Sequence, residues 1–502
     1  MAIRISCEVS VTDFPTVLVI ALLAIPLLSA AGSFVVRSVR SADNLGRASA
    51  LLTGGLAVGL AVAAIADAPG AVAAERWYVL DPLGGVFLAL IGAVGTLSAL
   101  NSHSFLDHAS RGPASSRRAR AGYWAALNLF WAALLAVPLA DNLGIAWLLV
   151  EATTAASAVL ITYSGKPAAL EAGWKYVVLT TLGLTVTLLG IVVVFAASGA
   201  DSIGALDWSA LADEVSGMSA EAGLVAFVLI VVGLAAKVGW APVHSWLPDA
   251  HSEAPPPVSA LLSAALLPAV LLIAWRTKLA LGGVLDDDSL RIPFIAFGLA
   301  SLAVAVPFLW RPMPFKRLLA YSSLEHMGII AIGIGFASPI AIAGVVVHVA
   351  GHGIAKSLGF YAATPLLRQT PAAATKPAVG LAGGSGSVAL ATGVSLFALA
   401  GLPPFPLFLS ELMILLGGFE AGMPLAASAT ALLLALGFLG LAHALVEAML
   451  GEPRTRRRPS RSARPLIVLT IASAALMLVL TVAGTMLLPG SELVEALGGG
   501  PS

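Results

Sequence analysis

The sequence predicts an all-α, polytopic membrane protein, and three observations lead to this fold class. The 502 residues are 59% hydrophobic and only 11% charged, with a mean hydropathy of +0.95. So few charges cannot cover a soluble globule of this size. Uncharged stretches of the roughly 20 residues that a membrane helix needs recur along the chain. Basic residues also concentrate in every second loop, as alternating membrane spans require.

The apolar stretches give about fourteen predicted membrane spans. They lie at 14–36, 48–66, 79–100, 121–140, 142–162, 172–197, 222–243, 257–277, 292–310, 316–336, 339–366, 385–420, 424–450 and 465–488. The stretch 385–420 is longer than one span needs and contains consecutive prolines, so we expect an interrupted helix there.

The first span is expected to stay in the protein. Its arginines follow the apolar stretch, whereas a signal peptide carries its positive charge before it. Cys7 is the single cysteine, and one cysteine can neither close a disulfide within the chain nor ligate an iron–sulfur cluster. We predict no cofactor and no metal in this chain, so that electrons in any parent redox complex travel through other subunits.

The loops predict the orientation. Odd-numbered loops and their edges carry 19 of the 27 basic residues, including the cluster between Arg454 and Arg464. Even-numbered loops are acidic, as in 201–214 and 286–288. The positive-inside rule therefore places the odd loops in the cytoplasm and both termini outside the cell membrane.

Two pairs of charged residues suggest an internal repeat. Glu151 and Lys237 are 86 residues apart, as are Glu325 and Glu411, and the second pair follows the first by 174 residues. A shift of 174 moves spans four to eight onto spans nine to thirteen. Because five is an odd number of helices, the second repeat is inverted in the membrane, an arrangement typical of transporters.

Glycine and proline predict that helices 7 and 12 are broken. Gly-Trp-Ala-Pro occupies 239–242 and Gly-Leu-Pro-Pro occupies 401–404, and proline frees carbonyls that can hold water or an ion. The predicted units are helices 1–3 at 1–120, a first repeat at 121–277, a second repeat at 278–450, and a basic loop with helix 14 and a tail at 451–502.

Ionisable residues inside the spans are the candidate functional residues, because such groups are rare in membranes and face protein or water. They include Glu151, Lys237, Glu325, His326, His348, His352, Lys356, Glu411 and His443. His348, His352 and Lys356 are four residues apart, which puts them on one helix face over roughly 12 Å. We interpret this stripe as a proton path, with a purely structural stripe bonded to neighbouring carbonyls as the alternative.

Two ligand-binding alternatives concern the histidines. Zinc is weakly supported, since an apolar helix supplies no obvious third or fourth ligand. His326 and His348, on different helices, are candidates for holding a b-type haem.

Two further basic residues have a simpler interpretation. Arg276 is expected to snorkel from a helix end. Lys175 is expected to pair with Glu171 one turn earlier on the same helix.

Four segments resemble the proton-pumping, antiporter-like subunits of respiratory complex I and their relatives in Mrp antiporters. They are ADNLGIAWLLVEATT, KVGWAPVHSWLPDAHSEAPPPVSALL, KRLLAYSSLEHMG and HVAGHGIAKSLGF. EATT and SSLEHMG are most similar to the membrane subunits of group 4 nickel–iron hydrogenases and formate hydrogenlyase, especially the component F of such hydrogenases. Val150 stands where complex I subunits usually have tryptophan.

The resemblance implies roles for individual residues. It makes Glu151 and Lys237 a charged pair across neighbouring helices, and it places Glu411 on the broken twelfth helix. It assigns the central polar axis to His348, His352 and Lys356. An accessory path is expected among Lys175, His244, His251, Glu325, His326 and His443.

One position departs from the resemblance. Pro268 stands where the family often has a lysine in the eighth span. Proline cannot relay a proton, so the link from Lys237 to the central axis would need water, or histidines such as His244 and His251.

The implied function is proton translocation within a redox-driven complex similar to hydrogenase or NADH-quinone oxidoreductase. Its partners would be other membrane and soluble subunits, the lipid bilayer and protons, without nucleic acid. The alternatives are an Mrp-type cation/proton antiporter subunit that acts without redox partners, and a purely structural membrane anchor.

Cysteine labelling tests the orientation. In a Cys7→Ser background, Ser460→Cys in the basic loop should resist an impermeant thiol reagent added to intact cells, and Ser491→Cys should react. The opposite labelling pattern would overturn the assignment of odd loops to the cytoplasm.

Overall fold

The computed structural model describes residues 14–66, 73–75, 77–109, 116–199, 201–384, 386–452 and 464–486. Its helices are α1 Phe14–Val35, α2 Val39–Ala66, α3 Pro82–Ala109, α4 Arg117–Leu139, α5 Leu143–Ile161, α6 Pro167–Ser198, α7 Trp208–Glu214, α8 Ala220–Val238, α9 Trp246–Glu253, α10 Pro256–Leu261, α11 Leu267–Ala280, α12 Asp287–Leu309, α13 Phe315–Phe336, α14 Pro339–Gln369, α15 Gly386–Leu399, α16 Pro406–Glu420, α17 Pro424–Leu450 and α18 Arg464–Met486. In the described ranges the only sheet is a hairpin, in which β1 Ala73–Glu75 pairs with β2 Tyr78–Leu80.

The all-α membrane fold is confirmed. Thirteen helical segments of the described chain are long and apolar enough to cross a membrane. One of them joins α10 to α11 through a π-helical turn at Leu262–Leu266 and corresponds to the predicted eighth span. The shorter α15 and the following α16 together occupy the predicted stretch 385–420.

Several predicted boundaries are wrong. The second span begins at Val39 rather than 48, and the third runs from Pro82 to Ala109 rather than from 79 to 100. The polar ends of α2 and α3 are helical beyond the predicted spans, and their acidic residues share one partner on α4. Arg120 binds Asp43 of α2 at 2.6 Å and Asp107 of α3 at 2.8 Å.

Loops of the same parity meet, as alternating spans require. A cavity of about 660 Å³ is lined by residues from five odd loops and their edges, including Lys166, Lys316 and Thr375. At the even loops Arg276 binds Asp81 at 2.8 Å and is almost fully buried, so the expectation that it snorkels is wrong. The predicted basic cluster of residues 454–463 lies outside the described residues.

Both predicted helix interruptions coincide with helix ends. α8 ends at Val238, where Gly239 has a φ of +81°, and α15 ends at Leu399, with Gly401 at +65° shortly after. Glycine adopts this left-handed backbone without a Cβ clash. The seventh span therefore stops at Val238 and not at the predicted 243.

The two interruptions do not follow the predicted offset. Gly239 and Gly401 are 162 residues apart, whereas Glu151 and Glu325 are 174 apart. Lys237 consequently precedes its interruption, while Glu411 follows its own, so the equal spacing of 86 residues does not give them equivalent positions. The inverted repeat itself stays a prediction.

Glycine allows some helices to touch backbone to backbone. A Cβ added to Gly233 of α8 would lie 2.5 Å from the carbonyl oxygen of Gly183 on α6 and 2.3 Å from Thr187 Oγ1. On α12, a Cβ at Gly298 would lie 2.7 Å from the Gly328 carbonyl of α13. Small residues permit such close helix packing in membranes, and the α6–α8 contact fixes where Lys237 sits.

Gly233→Ala should destabilise the protein by about 1–3 kcal/mol, because the new methyl group has no room at the α6–α8 contact. Thermal unfolding of the purified chain in detergent measures this loss. Gly59→Ala is the matched control: a Cβ there meets nothing within 4 Å, so stability should hold or rise. Equal melting temperatures for the two variants would contradict this packing.

Candidate functional site

Lys237 lies in the last turn of α8 and is fully buried. Its Nζ donates to the hydroxyl oxygens of Thr154 on α5 and Tyr176 on α6, both at 2.6 Å. The same Nζ is 4.4 Å from the centre of the Tyr176 ring, a cation–π distance. Lys237 therefore sits in a cage of two hydroxyls and one aromatic face.

Glu151 is not the direct partner of Lys237. The carboxylate is only half-buried and accepts a hydrogen bond from Thr181 at 3.4 Å. The two side chains form no direct ion pair, although Glu151 attracts Lys237 electrostatically. The charged pair that the resemblance implies therefore stays a prediction. Thr154, three residues after Glu151 on the same helix, is the α5 side chain that contacts Lys237.

His251 occupies the space between Lys237 and the central helices. The ring of Tyr176 packs on Trp246 with 4.9 Å between centroids, and Trp246 packs on His251 at 6.3 Å. His251 is fully buried; Leu247 O is 2.8 Å from its Nδ1, and its Nε2 has no protein partner. On α14, the ring of Phe360 is centred 5.9 Å from that of His251.

Pro268 does not interrupt this region. It lies fully buried in the first turn of α11, directly after the π-helical turn at Leu262–Leu266. Proline has no amide hydrogen to donate, and a π-helical turn changes the hydrogen-bond spacing so that the helix can continue past it. His244, the other predicted bridge, is only partly buried in the loop before α9 and makes no contact with the central histidines.

Lys356 repeats the hydroxyl arrangement of Lys237. It is fully buried on α14, and its Nζ donates to Ser322 Oγ of α13 and to the Leu319 carbonyl at 2.5 Å. Glu325 forms no ion pair with it. The Glu325 carboxylate instead faces Gly437 of α17, where a Cβ would lie 2.0 Å from Oε1.

Three histidines meet between α13 and α14. His326 Nδ1 is 3.0 Å from His348 Nε2, and the rings of His326 and His352 are centred 5.1 Å apart. All are buried, and neither ring nitrogen of His352 has a hydrogen-bond partner. The predicted stripe of His348, His352 and Lys356 therefore faces α13, whose His326 completes the cluster.

The neighbours of His348 determine the tautomers. Ser410 donates its hydroxyl to the Leu407 carbonyl at 2.9 Å, so it accepts from His348 Nδ1, also at 2.9 Å. His348 Nε2 then carries a lone pair and accepts from His326 Nδ1–H. His326 Nε2 is then a buried nitrogen with a free lone pair that meets no hydrogen-bond partner within the usual distance and angle limits.

Glu411 of α16 lies beside the histidine cluster. Its carboxylate is half-buried and lies beside Gly401, and it lines a cavity of about 350 Å³ between α16 and α17. One carboxylate oxygen and one nitrogen each from His326 and His348 all lie within 4.8 Å of one another.

Two residues of the predicted accessory path, His443 and Lys175, lie away from the central histidines. His443 is exposed on α17, beside Arg311 and Glu447, and does not join the buried series. Lys175 binds Glu171 at 2.6 Å, as predicted, and also Asp249 at 3.3 Å.

The bis-histidine haem alternative does not fit. His326 and His348 are in direct hydrogen-bond contact at 3.0 Å, which leaves no space for a macrocycle between their nitrogens.

Comparison with known proteins identifies the family. Residues 140–437 match the family described as "NADH:quinone oxidoreductase/Mrp antiporter, TM". The chain belongs to this family. The matched region contains Glu151, Lys237, the three central histidines, Lys356 and Glu411.

Individual relatives agree with this assignment. The hydrogenase-4 component F homolog of Methylacidiphilum infernorum (isolate V4) is 32% identical over 407 residues, which cover 79% of this chain and 83% of that protein. This relative confirms the resemblance to the membrane components of group 4 hydrogenases.

Solved structures share the fold. A chain of the membrane-bound sulfane sulfur reductase, an archaeal respiratory membrane complex, has a TM-score of 0.82 at 22% identity over 96% of both chains. A chain of the Mrp complex from Dietzia sp. DQ12-45-1b has a TM-score of 0.79 at 22% identity over 97% of both. At this identity the likeness concerns the fold alone.

Proposed function

We propose that this chain is the proton-translocating membrane subunit of a redox-driven complex of the hydrogenase or NADH-quinone oxidoreductase type. The observation that carries the proposal is the partner set of Lys237, a fully buried amine held by hydroxyls and not by a carboxylate. A structural ion pair would need a carboxylate, since an isolated charge in an apolar interior is costly.

Hydroxyl partners suit an amine that changes its protonation state. Thr, Ser and Tyr hydroxyls both donate and accept, whereas an ammonium only donates. Thr154 and Tyr176 accept from the charged form of Lys237, and each would donate to the lone pair of the neutral form once its O–H turns away from its present acceptor. Ser322, whose O–H now donates to the Leu319 carbonyl, would offer the same exchange to Lys356. These partners therefore do not restrict either lysine to its charged or its neutral form.

The histidines extend the path. A proton taken up at His326 Nε2 allows release of the proton on Nδ1 to His348 Nε2, and His348 can pass its Nδ1 proton towards Ser410. The proposed series is Glu151, Thr154, Tyr176, Lys237, His251, Lys356, His352, His326, His348 and Glu411. Water would bridge the steps at which the protein supplies no direct hydrogen bond.

The two cavities support access from opposite ends. The cavity of about 660 Å³ at the odd loops reaches Glu253 and Lys316, and Lys316 donates to carbonyls on either side of Glu253, next to the helix that carries His251. The cavity of about 350 Å³ reaches Glu411. With odd loops in the cytoplasm, protons would be taken up at the first cavity and leave past Glu411 to the outside.

Electron transfer is assigned to other subunits. The series contains proton-transferring groups, and the relatives carry the names of components of larger complexes. We therefore assign membrane and soluble partner subunits to this chain, and the cell membrane, with both termini outside, as its location.

A second candidate is a cation/proton antiporter subunit that acts without redox partners. The match to a chain of an Mrp complex over nearly its full length favours it. Proteoliposomes that contain the chain with its co-purifying subunits separate the two functions: a pump acidifies one side when an electron donor is added, and an antiporter does so only when a sodium gradient is imposed.

Two substitutions of Lys237 test the proposal. Lys237→Met should abolish proton translocation while the complex assembles and transfers electrons, because the exchangeable amine is gone. Lys237→Arg should also fail, since arginine does not release its proton. Proton uptake by vesicles, measured beside electron transfer, gives the answer.

Lys376→Met is the matched control, because Lys376 is exposed and lies outside the series. It should translocate protons like the wild type. Normal translocation by Lys237→Arg would show that Lys237 is a fixed charge, and the proposed mechanism would be wrong.

A further inference from the structure

We propose that His326, His348 and Glu411 form a binding site for a divalent transition-metal ion, best matched by Zn²⁺. The sequence offered no reason to favour zinc, because one apolar helix supplies too few ligands. The fold brings ligands together from three helices: α13, α14 and α16.

The geometry is close to that of a zinc centre. One ligand atom each of His326, His348 and Glu411 lies within 4.8 Å of the other two, and the two facing imidazole nitrogens are 3.0 Å apart. In a tetrahedral site with bonds of 2.0–2.1 Å, ligand atoms are about 3.3 Å apart. Small side-chain movements would therefore place all three around one ion.

The donors are available. His348 Nε2 carries a lone pair, and His326 can present one by moving its proton from Nδ1 to the unpartnered Nε2. His352, whose ring centre lies 5.1 Å from that of His326, is fully buried and has no hydrogen bond at either nitrogen. Buried polar atoms are normally paired, so the histidine cluster lacks a partner that the protein itself does not supply.

A supporting contact is already in place. Ser410 accepts from His348 Nδ1 at 2.9 Å and thereby holds Nε2 towards His326. Metal-binding histidines commonly use the second ring nitrogen in this way, which fixes the tautomer and the ring orientation. The cavity of about 350 Å³ beside Glu411 provides a route for the ion.

The donor set selects the metal class. Two imidazoles and one carboxylate suit Zn²⁺, Co²⁺ or Cu²⁺, whereas Mg²⁺ and Ca²⁺ prefer oxygen ligands. Among the described residues one further group could hold an ion, Asp43, His103 and Asp107. There, however, the Arg120 guanidinium already binds both carboxylates, which leaves no place for a second cation.

A bound ion would stop proton transfer, a consequence that rests on the proposed function. Metal ligands must be unprotonated, so the lone pairs that carry protons along His326 and His348 would be occupied. The site would then make the subunit sensitive to zinc at its centre.

Cobalt titration of the purified full-length chain tests the site without reference to transport. Metal-free protein in mild detergent should bind one Co²⁺ with the visible absorption of a tetrahedral centre, and Zn²⁺ should displace it. His348→Gln and Glu411→Gln should weaken Co²⁺ binding by more than about 10–100-fold, the effect of losing a supporting group alone. Melting temperatures confirm that each variant is folded.

His443→Gln and His103→Gln are the matched controls, one exposed on α17 and one in the Arg120 cluster. Both should keep the cobalt spectrum. Loss of the spectrum in His103→Gln with retention in His348→Gln would overturn the proposal, as would the absence of saturable binding at one ion per chain. Binding at this site combined with undiminished proton transfer under Zn²⁺ would support the metal site and contradict the proton path instead.

Discussion

One constraint governs this structure: placing the Lys237 amine in an apolar interior costs free energy, and the neighbouring side chains must offset that cost. A charged side chain at the centre of a membrane is costly by several kcal/mol even on the mildest scales, and Lys237 is fully buried. The protein meets this constraint with two hydroxyls and an aromatic face. Under the proposed function these partners would serve both the charged and the neutral amine, so that they hold Lys237 in place without fixing its charge.

The rest of the architecture holds these partners in place. Tyr176 and Lys237 lie on helices α6 and α8, which touch backbone to backbone through glycine. The interruption after Lys237 turns the chain so that α9 can bring His251 towards the central helices. The second interruption, at Gly401, similarly brings Ser410 and Glu411 to the histidines. Helix ends inside the protein thus position the polar series, while the lipid-facing surface stays apolar.

The sequence predicted the spans, the two interruptions and most of the ionisable residues, because hydropathy, proline and rare charges are local signals. It did not predict which side chains of different helices would touch. Thr154 and Ser322 were present in the recognised motifs, yet their contacts with the lysines depend on how α5 and α13 are rotated. No motif or charge pattern in the sequence pointed to Tyr176. The equal spacing of Glu151–Lys237 and Glu325–Glu411 was misleading, because differences in the lengths of intervening segments shift the second interruption relative to the first.

In the proposed path His251 joins Lys237 to the histidine cluster, although Pro268 stands where the resemblance leads one to expect a lysine. The most direct measurement is the number of protons translocated per electron pair by the complete complex in vesicles, for His251→Phe and for His244→Phe. We expect His251→Phe to transfer electrons without translocating protons, because it removes the buried ring nitrogens, and His244→Phe to behave as the wild type. A normal proton-to-electron ratio in His251→Phe would show that protons do not pass through His251 and would contradict the proposed path.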